Sequence, residues 1–165
     1  MLVASRPVAG LILLFTACAR KPDAGSGPEP TAAGASLEGR AGAVVRTGHY
    51  ELRASAPRDC SAVPRGARAD QVRRVGIEVR LTPLGELQVP ANPYYARLVD
   101  ERGNVYEATL GGCGMALGPN LPTRGEVASG MLVFDVPRTS HDFTLTYAPE
   151  LVGLATEEIE IALGR

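Results

Sequence analysis

Apolar and polar residues alternate with a period of two along most of the chain after about residue 43, a pattern typical of β-strands that bury one face. The alternation is cleanest over residues 75–81, where every second side chain is Val, Ile or Leu. The same period predicts strands in five further segments, residues 50–54, 94–99, 105–109, 143–147 and 158–163. No segment shows the 3.6-residue period of an amphipathic helix, so the pattern predicts an all-β chain.

The most apolar run is residues 131–136. Leu132 and Phe134 share one face of this predicted strand, and Met131 and Val133 share the other. Because both faces are largely apolar, we predict that the strand lies centrally in a sheet. Pro137 has no N–H group to give to a ladder, so the strand is predicted to end there.

This run brings the total to about seven predicted strands. The length of 165 residues is that of one domain, and 19 Gly and 13 Pro fit a chain with many turns. Strands that each bury one face must pack against a second sheet, so we predict a two-layer β-sandwich. Two long polar loops interrupt it: residues 53–71, which contain Cys60, and residues 110–122, which contain Cys113.

Residues 1–17 are predicted to be an export signal. Arg6 supplies the positive charge, and the apolar segment 8–15 is too short to cross a bilayer of about 30 Å as a helix. Residues 18–41 are predicted to be a disordered tether, because small and polar residues dominate and Leu37 is the only large apolar side chain. The sandwich domain is then predicted to span residues 42–165.

The run Phe15-Thr16-Ala17-Cys18 resembles the lipobox of bacterial lipoproteins. The resemblance implies cleavage before Cys18, a diacylglycerol on its thiol and an acyl chain on its new amine. The alternative is an ordinary secretory signal cleaved after Ala19, because the small residues on either side of Cys18 also fit such a site. Ala19 is not the Asp that resembles an inner-membrane retention signal, so the outer membrane is expected in a cell with two membranes.

Two motifs lie in the β region: Leu98-x-Asp100-x-x-Gly103-x-x-Tyr106, and Gly125-x-Val127-x-x-Gly130-x-Leu132-Val133-Phe134-Asp135-Val136-Pro137, followed by Leu145 and Tyr147. In this order and spacing they resemble a family of bacterial secreted and lipoprotein domains of unknown function, related to mycobacterial immunoprotective extracellular antigens. The resemblance covers residues 75–147 and implies an immunoglobulin-like β-sandwich. Leu81-Thr82-Pro83 depart from the family pattern, which usually has an Asn there.

The family has no established catalytic residues, so the resemblance implies none here. Some of its members carry a telomeric repeat-binding label. A formal net charge of −1 gives this chain no field that attracts nucleic acid, so we expect no nucleic-acid partner.

The chain has three cysteines. If Cys18 is lipidated, Cys60 and Cys113 remain as an even pair in an oxidising compartment, and we predict a disulfide between them. The alternatives are two free thiols or a metal pair. Zinc sites usually draw two ligands from a C-x-x-C motif, and this spacing does not occur in the chain.

His49 and His141 are the only histidines. They would hold a metal only if the fold brought them together, and we expect neither a metal nor another cofactor. Ser140, His141 and Asp142 are consecutive, whereas a catalytic triad assembles in space, so no enzymatic activity is predicted.

Five arginines in one segment form a candidate interaction patch: Arg58, Arg65, Arg68, Arg73 and Arg74. Lipid headgroups or an acidic partner would suit this patch, and a solvated loop is the alternative. Alternation also leaves one of Tyr94 and Tyr95 facing outward, where it would suit a protein interface.

These observations predict a lipid-anchored cell-envelope protein whose sandwich is a non-enzymatic binding or interaction module. Its expected partners are the membrane, through Cys18, and an unidentified envelope protein. The alternative is a small-molecule or metal carrier in the cell envelope, which a pocket holding both histidines would favour.

Overall fold

The computed structural model describes residues 36–60 and 70–164. The strands are β1 (Ser36–Arg40), β2 (Val44–Arg46), β3 (Tyr50–Ala54), β4 (Arg58–Asp59), β5 (Val72–Pro83), β6 (Ala96–Val99), β7 (Val105–Glu107), β8 (Ala128–Pro137), β9 (Phe143–Tyr147) and β10 (Glu158–Gly164). A 3-10 helix, Pro93–Tyr95, precedes β6. No helix among these residues is long and apolar enough to cross a membrane. The predicted all-β class is confirmed. The β pattern that begins at about residue 43 divides into β2 and β3, and β1 and β4 are strands that the sequence pattern did not predict.

The strands form two sheets. In the first sheet the order is β1-β10-β9-β6-β7, and only β1 and β10 run parallel. In the second sheet β5 pairs with β8 along one edge and with β3 and β4 along the other, and β2 extends the sheet beyond β3. The inner faces of the two sheets meet in one hydrophobic core, as the predicted sandwich requires.

The core follows the predicted alternation closely. The largest fully buried side chains are Tyr50, Tyr147, Phe134, Leu52, Ile77, Leu81, Leu98, Leu117, Leu132, Leu145, Ile159 and Ile161. All but Leu117 lie in strands, and within each strand they occupy alternate positions. Period-two alternation therefore identified the buried face of every long strand.

The central strand of the second sheet is β5, not β8. The sequence placed residues 131–136 centrally because both faces are apolar, but β8 pairs with only one strand. Its other edge is lined by the loop before it: the Thr109 N–H donates to the Val133 carbonyl at 2.7 Å, and the Leu117 N–H donates to the Met131 carbonyl at 3.0 Å. The prediction was wrong because a loop, and not a strand, covers that side of Met131 and Val133.

The domain begins earlier than predicted. The tether was expected to reach residue 41, but β1 pairs in parallel with β10, and Leu37 lies opposite Ile159. Gly39 packs against Val45, where a Cβ on the glycine would overlap the valine side chain. Backbone pairing and a small residue order this segment, so its lack of large apolar side chains was misleading. The remainder of the predicted tether and signal, including Cys18, lies outside the described residues.

The sandwich has two ends, which differ in chemistry. We call one the Ser36 end, because β1 begins there; it also carries the loops 84–92, 118–127 and 148–157. We call the other the hairpin end. It carries the β6–β7 turn, residues 100–104, and the β8–β9 turn, residues 138–142, beside the start of β5.

Candidate functional site

A groove of about 360 Å³ opens between the sheets at the hairpin end. It is lined by residues from β4 and the segment before it, from the start of β5, from the β8–β9 turn and from the start of β9: Pro57, Asp59, Arg73, Val75, His141, Asp142 and Phe143. Val75 and Phe143 are almost fully buried and form an apolar floor. Charged and polar side chains surround this floor.

Arg73 lies in the groove because of its place in β5. Alternate β5 residues from Val75 to Leu81 point into the core, and Arg73 continues the same row by one step, where the sandwich opens to solvent. Its guanidinium carbon lies 5.8 Å from the centroid of the Phe143 ring, within the range of a cation–π contact. Residue parity thus places a positive charge at the mouth of the hydrophobic core.

The Arg73 guanidinium is held on two sides. Nη1 donates to Asp59 Oδ1 at 2.8 Å, and Nη2 donates to the Ser140 carbonyl at 2.9 Å. The Nε–H group is buried and has no hydrogen-bond partner among the described residues. A buried donor without an acceptor costs free energy, so this N–H is the group at the site that would gain most from a bound acceptor.

His141 and Asp142 form the rim of the groove. The His141 Nδ1 and Asp142 Oδ2 atoms are 3.0 Å apart, and the His141 backbone N–H donates to Glu101 Oε2 at 3.1 Å. Asp142 has a φ of 49°, in the left-handed region that favours glycine. The rim therefore holds a paired histidine and a carboxylate on an unusual backbone conformation.

Beneath the rim, Asp100 joins the two turns of the hairpin end. Its carboxylate accepts hydrogen bonds from the Asn104 backbone N–H at 2.9 Å, the Tyr106 hydroxyl at 2.7 Å and the Ser140 hydroxyl at 2.9 Å. Burial alone would raise the pKa of the Asp100 carboxyl, but these hydrogen bonds outweigh it and lower the pKa below its ordinary value. Gly103, with a φ of 79°, completes the turn. The first sequence motif is thus a polar clamp between two turns.

The structure separates the predicted arginine patch. Arg74 points to the outer face of its sheet, where its Nε and Nη2 atoms donate to both carboxylate oxygens of Asp135 at 2.7 and 2.8 Å. Arg58 lies over the loop before β8, with Nη2 3.4 Å from the Cys113 carbonyl oxygen. Arg73 points instead into the groove. The three arginines have different partners and directions, and Arg65 and Arg68 lie outside the described residues.

Cys60 and Cys113 are joined by a disulfide, as predicted, with their Cα atoms 5.2 Å apart. The bond lies on the outer face of the second sheet over Gly76, where a Cβ would overlap the Cys113 sulfur. The sequence placed the bond between loops at one end of the sandwich. It instead fastens the loop beside β8 to the residue after β4, because that loop runs along the sheet edge.

The two histidines lie at opposite ends of the sandwich. His49 is at the Ser36 end, where its Nδ1 atom is 2.9 Å from Glu157 Oε1, whereas His141 is at the hairpin end. They therefore cannot share a metal ion. In residues 36–60 and 70–164, no group of three or more His, Cys, Asp or Glu side chains is placed to hold one.

Tyr94 and Tyr95 divide as alternation predicts, although they belong to the 3-10 helix and not to the following strand. Tyr94 is 65% exposed, and Tyr95 packs edge-on against Tyr147 with ring centroids 6.5 Å apart. Tyr94 is one of five large exposed apolar or aromatic side chains in the loops of the Ser36 end, with Leu121, Val127, Val152 and Leu154.

Sequence reasoning missed the groove and the Asp100 clamp. The signal for the groove was the parity of Arg73, which shares the inward row of β5. The signal for the clamp was the spacing of Asp100, Gly103 and Tyr106. This spacing lets Asp100 accept hydrogen bonds from residues on the far side of the turn.

Solved structures of similar fold come from several bacteria. The yjhA protein of Bacillus subtilis matches with a TM-score of 0.57 and 17% identity over 74% of this chain and 99% of its own. A secreted protein of Mycobacterium tuberculosis, MPT63, matches with a TM-score of 0.56 and 15% identity over 78% of this chain and 98% of its own. At this identity the likeness establishes the β-sandwich fold.

A candidate lipoprotein of Bacillus subtilis, ycdA, matches with a TM-score of 0.56 and 14% identity over 69% of this chain. The chain covers only 36% of the length of ycdA. No family profile and no curated protein matches this chain by sequence.

Proposed function

We propose that this protein is exported, anchored to the cell envelope by lipid on Cys18, and that its sandwich is a non-enzymatic binding module. The export signal and the lipobox-like run support the first two parts. The Cys60–Cys113 disulfide agrees with them, because such bonds persist outside the reducing cytosol. The likeness in fold to a secreted protein and to a candidate lipoprotein is consistent with this location.

The exposed apolar side chains of the Ser36 end carry the binding part of the proposal. Val152 is 89% exposed at the tip of its turn, and Tyr94 is 65% exposed in a neighbouring loop. Leu121 and Leu154 are also more than a third exposed. Exposed apolar groups gathered in one region are typical of protein-interaction surfaces, and Tyr is enriched in such surfaces. Binding is therefore proposed to use the loops of this end.

The described hydroxyl and imidazole groups support a non-enzymatic role. The Ser140 hydroxyl is nearly buried and donates to Asp100, so it has no histidine base. The imidazole of His141 bonds Asp142 and the imidazole of His49 bonds Glu157, and neither ring has a hydroxyl or thiol hydrogen-bond partner among the described residues. These contacts are those of structural side chains.

Lipid anchoring is tested by the mass and partition of the mature protein. Wild-type protein is expected in the detergent phase, with a mass that begins at Cys18 and includes acyl chains. The Cys18→Ser variant is expected to remain as uncleaved precursor. An unmodified amino terminus at Arg20 would overturn the lipid anchor and leave the binding proposal standing.

Binding through the Ser36 end is tested by photo-crosslinking in cells. A photoreactive amino acid replaces Val152 in one variant and Val105, an exposed valine of β7 near the hairpin end, in the control. A discrete crosslinked product from position 152 and none from position 105 is expected. Identical products from both positions would contradict binding by this end.

Small-molecule carriage is the second candidate function, and the groove at the hairpin end is the observation that favours it. Its volume of about 360 Å³ is within the range of ligand sites. The two histidines lie too far apart to bind one metal ion, so a metal carrier that uses both of them is excluded.

A further inference from the structure

We propose that the groove at the hairpin end binds an uncharged small molecule that combines an apolar body with one hydrogen-bond acceptor, such as a ketone, ester or amide carbonyl. This proposal deepens the second candidate function. It depends on neither the lipid anchor nor the apolar loops of the Ser36 end.

The groove supplies both space and an apolar surface. Val75 and Phe143 belong to the inward rows of β5 and β9, and their side chains are fixed by the core beneath them. Pro57 adds a rigid apolar wall on the β4 side. A ligand with a ring or short aliphatic body would bury its apolar surface here, which is the main favourable contribution at most small-molecule sites.

The ligand needs a hydrogen-bond acceptor because one donor of the Arg73 side chain has no partner among the described residues. Two of its terminal nitrogens already donate to Asp59 and to the Ser140 carbonyl, whereas the buried Nε–H donates to no described residue. A ligand carbonyl that accepts this hydrogen bond must shift the Arg73 side chain slightly, because the Nε atom has almost no accessible surface. A ligand with no acceptor would leave the donor unsatisfied.

The lack of ligand charge is required by the side chains around the groove. Arg73 is already paired with Asp59, and His141 is paired with Asp142. Glu101 lies beyond His141, with its Oε1 atom 3.8 Å from Nε2. Glu101 is in turn paired with Arg102, whose Nε atom lies 3.3 Å from Glu101 Oε1. An anionic ligand would therefore have to compete with carboxylates that are already paired with Arg73 and Arg102. A cationic ligand would meet the Arg73 guanidinium directly.

The test uses protein from residue 19 onward, because the hydrophobic core lies entirely between Val45 and Leu163 and the domain should fold without the signal. The probes are acetophenone, ethylbenzene and benzoate, which are similar in size and differ in acceptor and charge. Binding is followed by amide chemical shifts in NMR titrations. Acetophenone is expected to bind about fivefold more tightly than ethylbenzene, the gain of one net hydrogen bond, and benzoate is expected to bind most weakly.

Arg73→Met removes the donor and keeps an unbranched side chain. It should abolish the advantage of acetophenone over ethylbenzene, and the ratio of the two affinities within the variant is the measurement. Arg80→Met, the same change at an exposed outward position of β5, is the matched control and should alter neither affinity. A second variant, Asp142→Gly, removes a rim carboxylate and should raise the affinity for benzoate relative to acetophenone even if Arg73→Met fails to fold.

Shifts confined to amides of residues 58–59, 73–75 and 141–143 are expected. Equal affinities for acetophenone and ethylbenzene in the wild type would overturn the role of Arg73. Tightest binding of benzoate would overturn the charge assignment. Shifts only at the Ser36 end, or no shifts with any probe, would overturn the site itself, and none of these results bears on Cys18.

Discussion

At the Ser36 end of the sandwich, tyrosine hydroxyls hold the loops, whereas at the hairpin end a carboxylate holds them. The Tyr147 hydroxyl donates to the Pro90 carbonyl at 3.0 Å, and the Tyr50 hydroxyl donates to the Glu157 carbonyl at 3.0 Å. At the hairpin end, Asp100 accepts from Asn104, Tyr106 and Ser140. Both arrangements satisfy groups that the core would otherwise leave unpaired.

The difference lies in what each arrangement leaves on the surface. Neutral hydroxyls bonded to backbone carbonyls add no charge, so the loops of the Ser36 end can present apolar tips such as Val152. The hairpin end concentrates Asp59, Arg73 and Asp142 around a groove whose floor belongs to the core. One end thus suits a protein surface, and the other suits a small molecule with a polar group.

The largest effect is expected from the core shared by both ends. Phe134→Ala removes a fully buried ring from the middle of β8 and should lower the free energy of unfolding by about 3–5 kcal/mol. Asp135→Ala, the neighbouring change, loses a partly buried pair with Arg74 and should cost about 1.5 kcal/mol, which is less than the loss of the ring. Urea denaturation of both variants is the measurement. Equal midpoints would mean that Phe134 does not lie on the buried face of β8.

The disulfide should have the next largest effect. Replacing Cys60 and Cys113 together by serine opens a covalent link across 53 residues and should cost about 2–4 kcal/mol. Because the bond lies on the outer face of the sheet and not at either end, ligand affinity in the groove should be unchanged in the folded protein. Denaturation without reductant and a parallel acetophenone titration test this. A large loss of affinity with no loss of stability would place the bond in the site.

A smaller effect should distinguish the two ends by pH. Tyr106→Phe removes one donor to the Asp100 carboxylate and should cost about 1.5 kcal/mol at pH 7. Since the folded pKa of Asp100 is depressed, its contribution to stability is present above its ordinary pKa and is lost as the pH falls through the folded value. With one donor fewer, the pKa of Asp100 rises, so acid unfolding should begin at a higher pH.

Thermal denaturation between about pH 2 and 7 checks this shift against the ordinary aspartate pKa near 4. Tyr94→Phe, the same change at an exposed residue of the Ser36 end, is the control and should follow the wild-type curve. If the melting temperatures of wild type and Tyr106→Phe fall in parallel as the pH is lowered, Asp100 does not control the loss of stability in acid.

The outcome of sequence reasoning differs between these regions for a physical reason. Alternation identified the buried faces of β5, β8 and β9, because burial is a property of each strand by itself. It misplaced β8 in its sheet and overlooked β1, because strand neighbours and parallel backbone pairing leave little trace in side-chain type. The disulfide was predicted without any geometry, because two cysteines remain once Cys18 is lipidated and the chain is predicted to be exported.

The groove was beyond sequence reasoning because it depends on three separate segments. Arg73 was grouped with nearby arginines by its closeness to them in the chain, yet β5 turns Arg73 inward and Arg74 outward. His141 and Phe143 reach the same groove from 68 and 70 residues further along the sequence. Only the pairing of β5 with β8 and the packing of the two sheets bring these residues together.

The smallest predicted effect concerns the groove rim and has the opposite sign. Asp142 is the only non-glycine residue with a positive φ in the described ranges 36–60 and 70–164. Asp142→Gly relieves this conformation and loses an exposed pair with His141, so it should raise the free energy of unfolding by about 0.5 kcal/mol. His141→Ala loses the same pair without changing the backbone and should be neutral or slightly destabilising. Differential scanning calorimetry of the two variants separates strain from pairing. Suppose that Asp142→Gly both raises the free energy of unfolding and weakens the preference for acetophenone over benzoate. That result would mean that the hairpin end, unlike the Ser36 end, keeps a costly backbone conformation where its ligand binds.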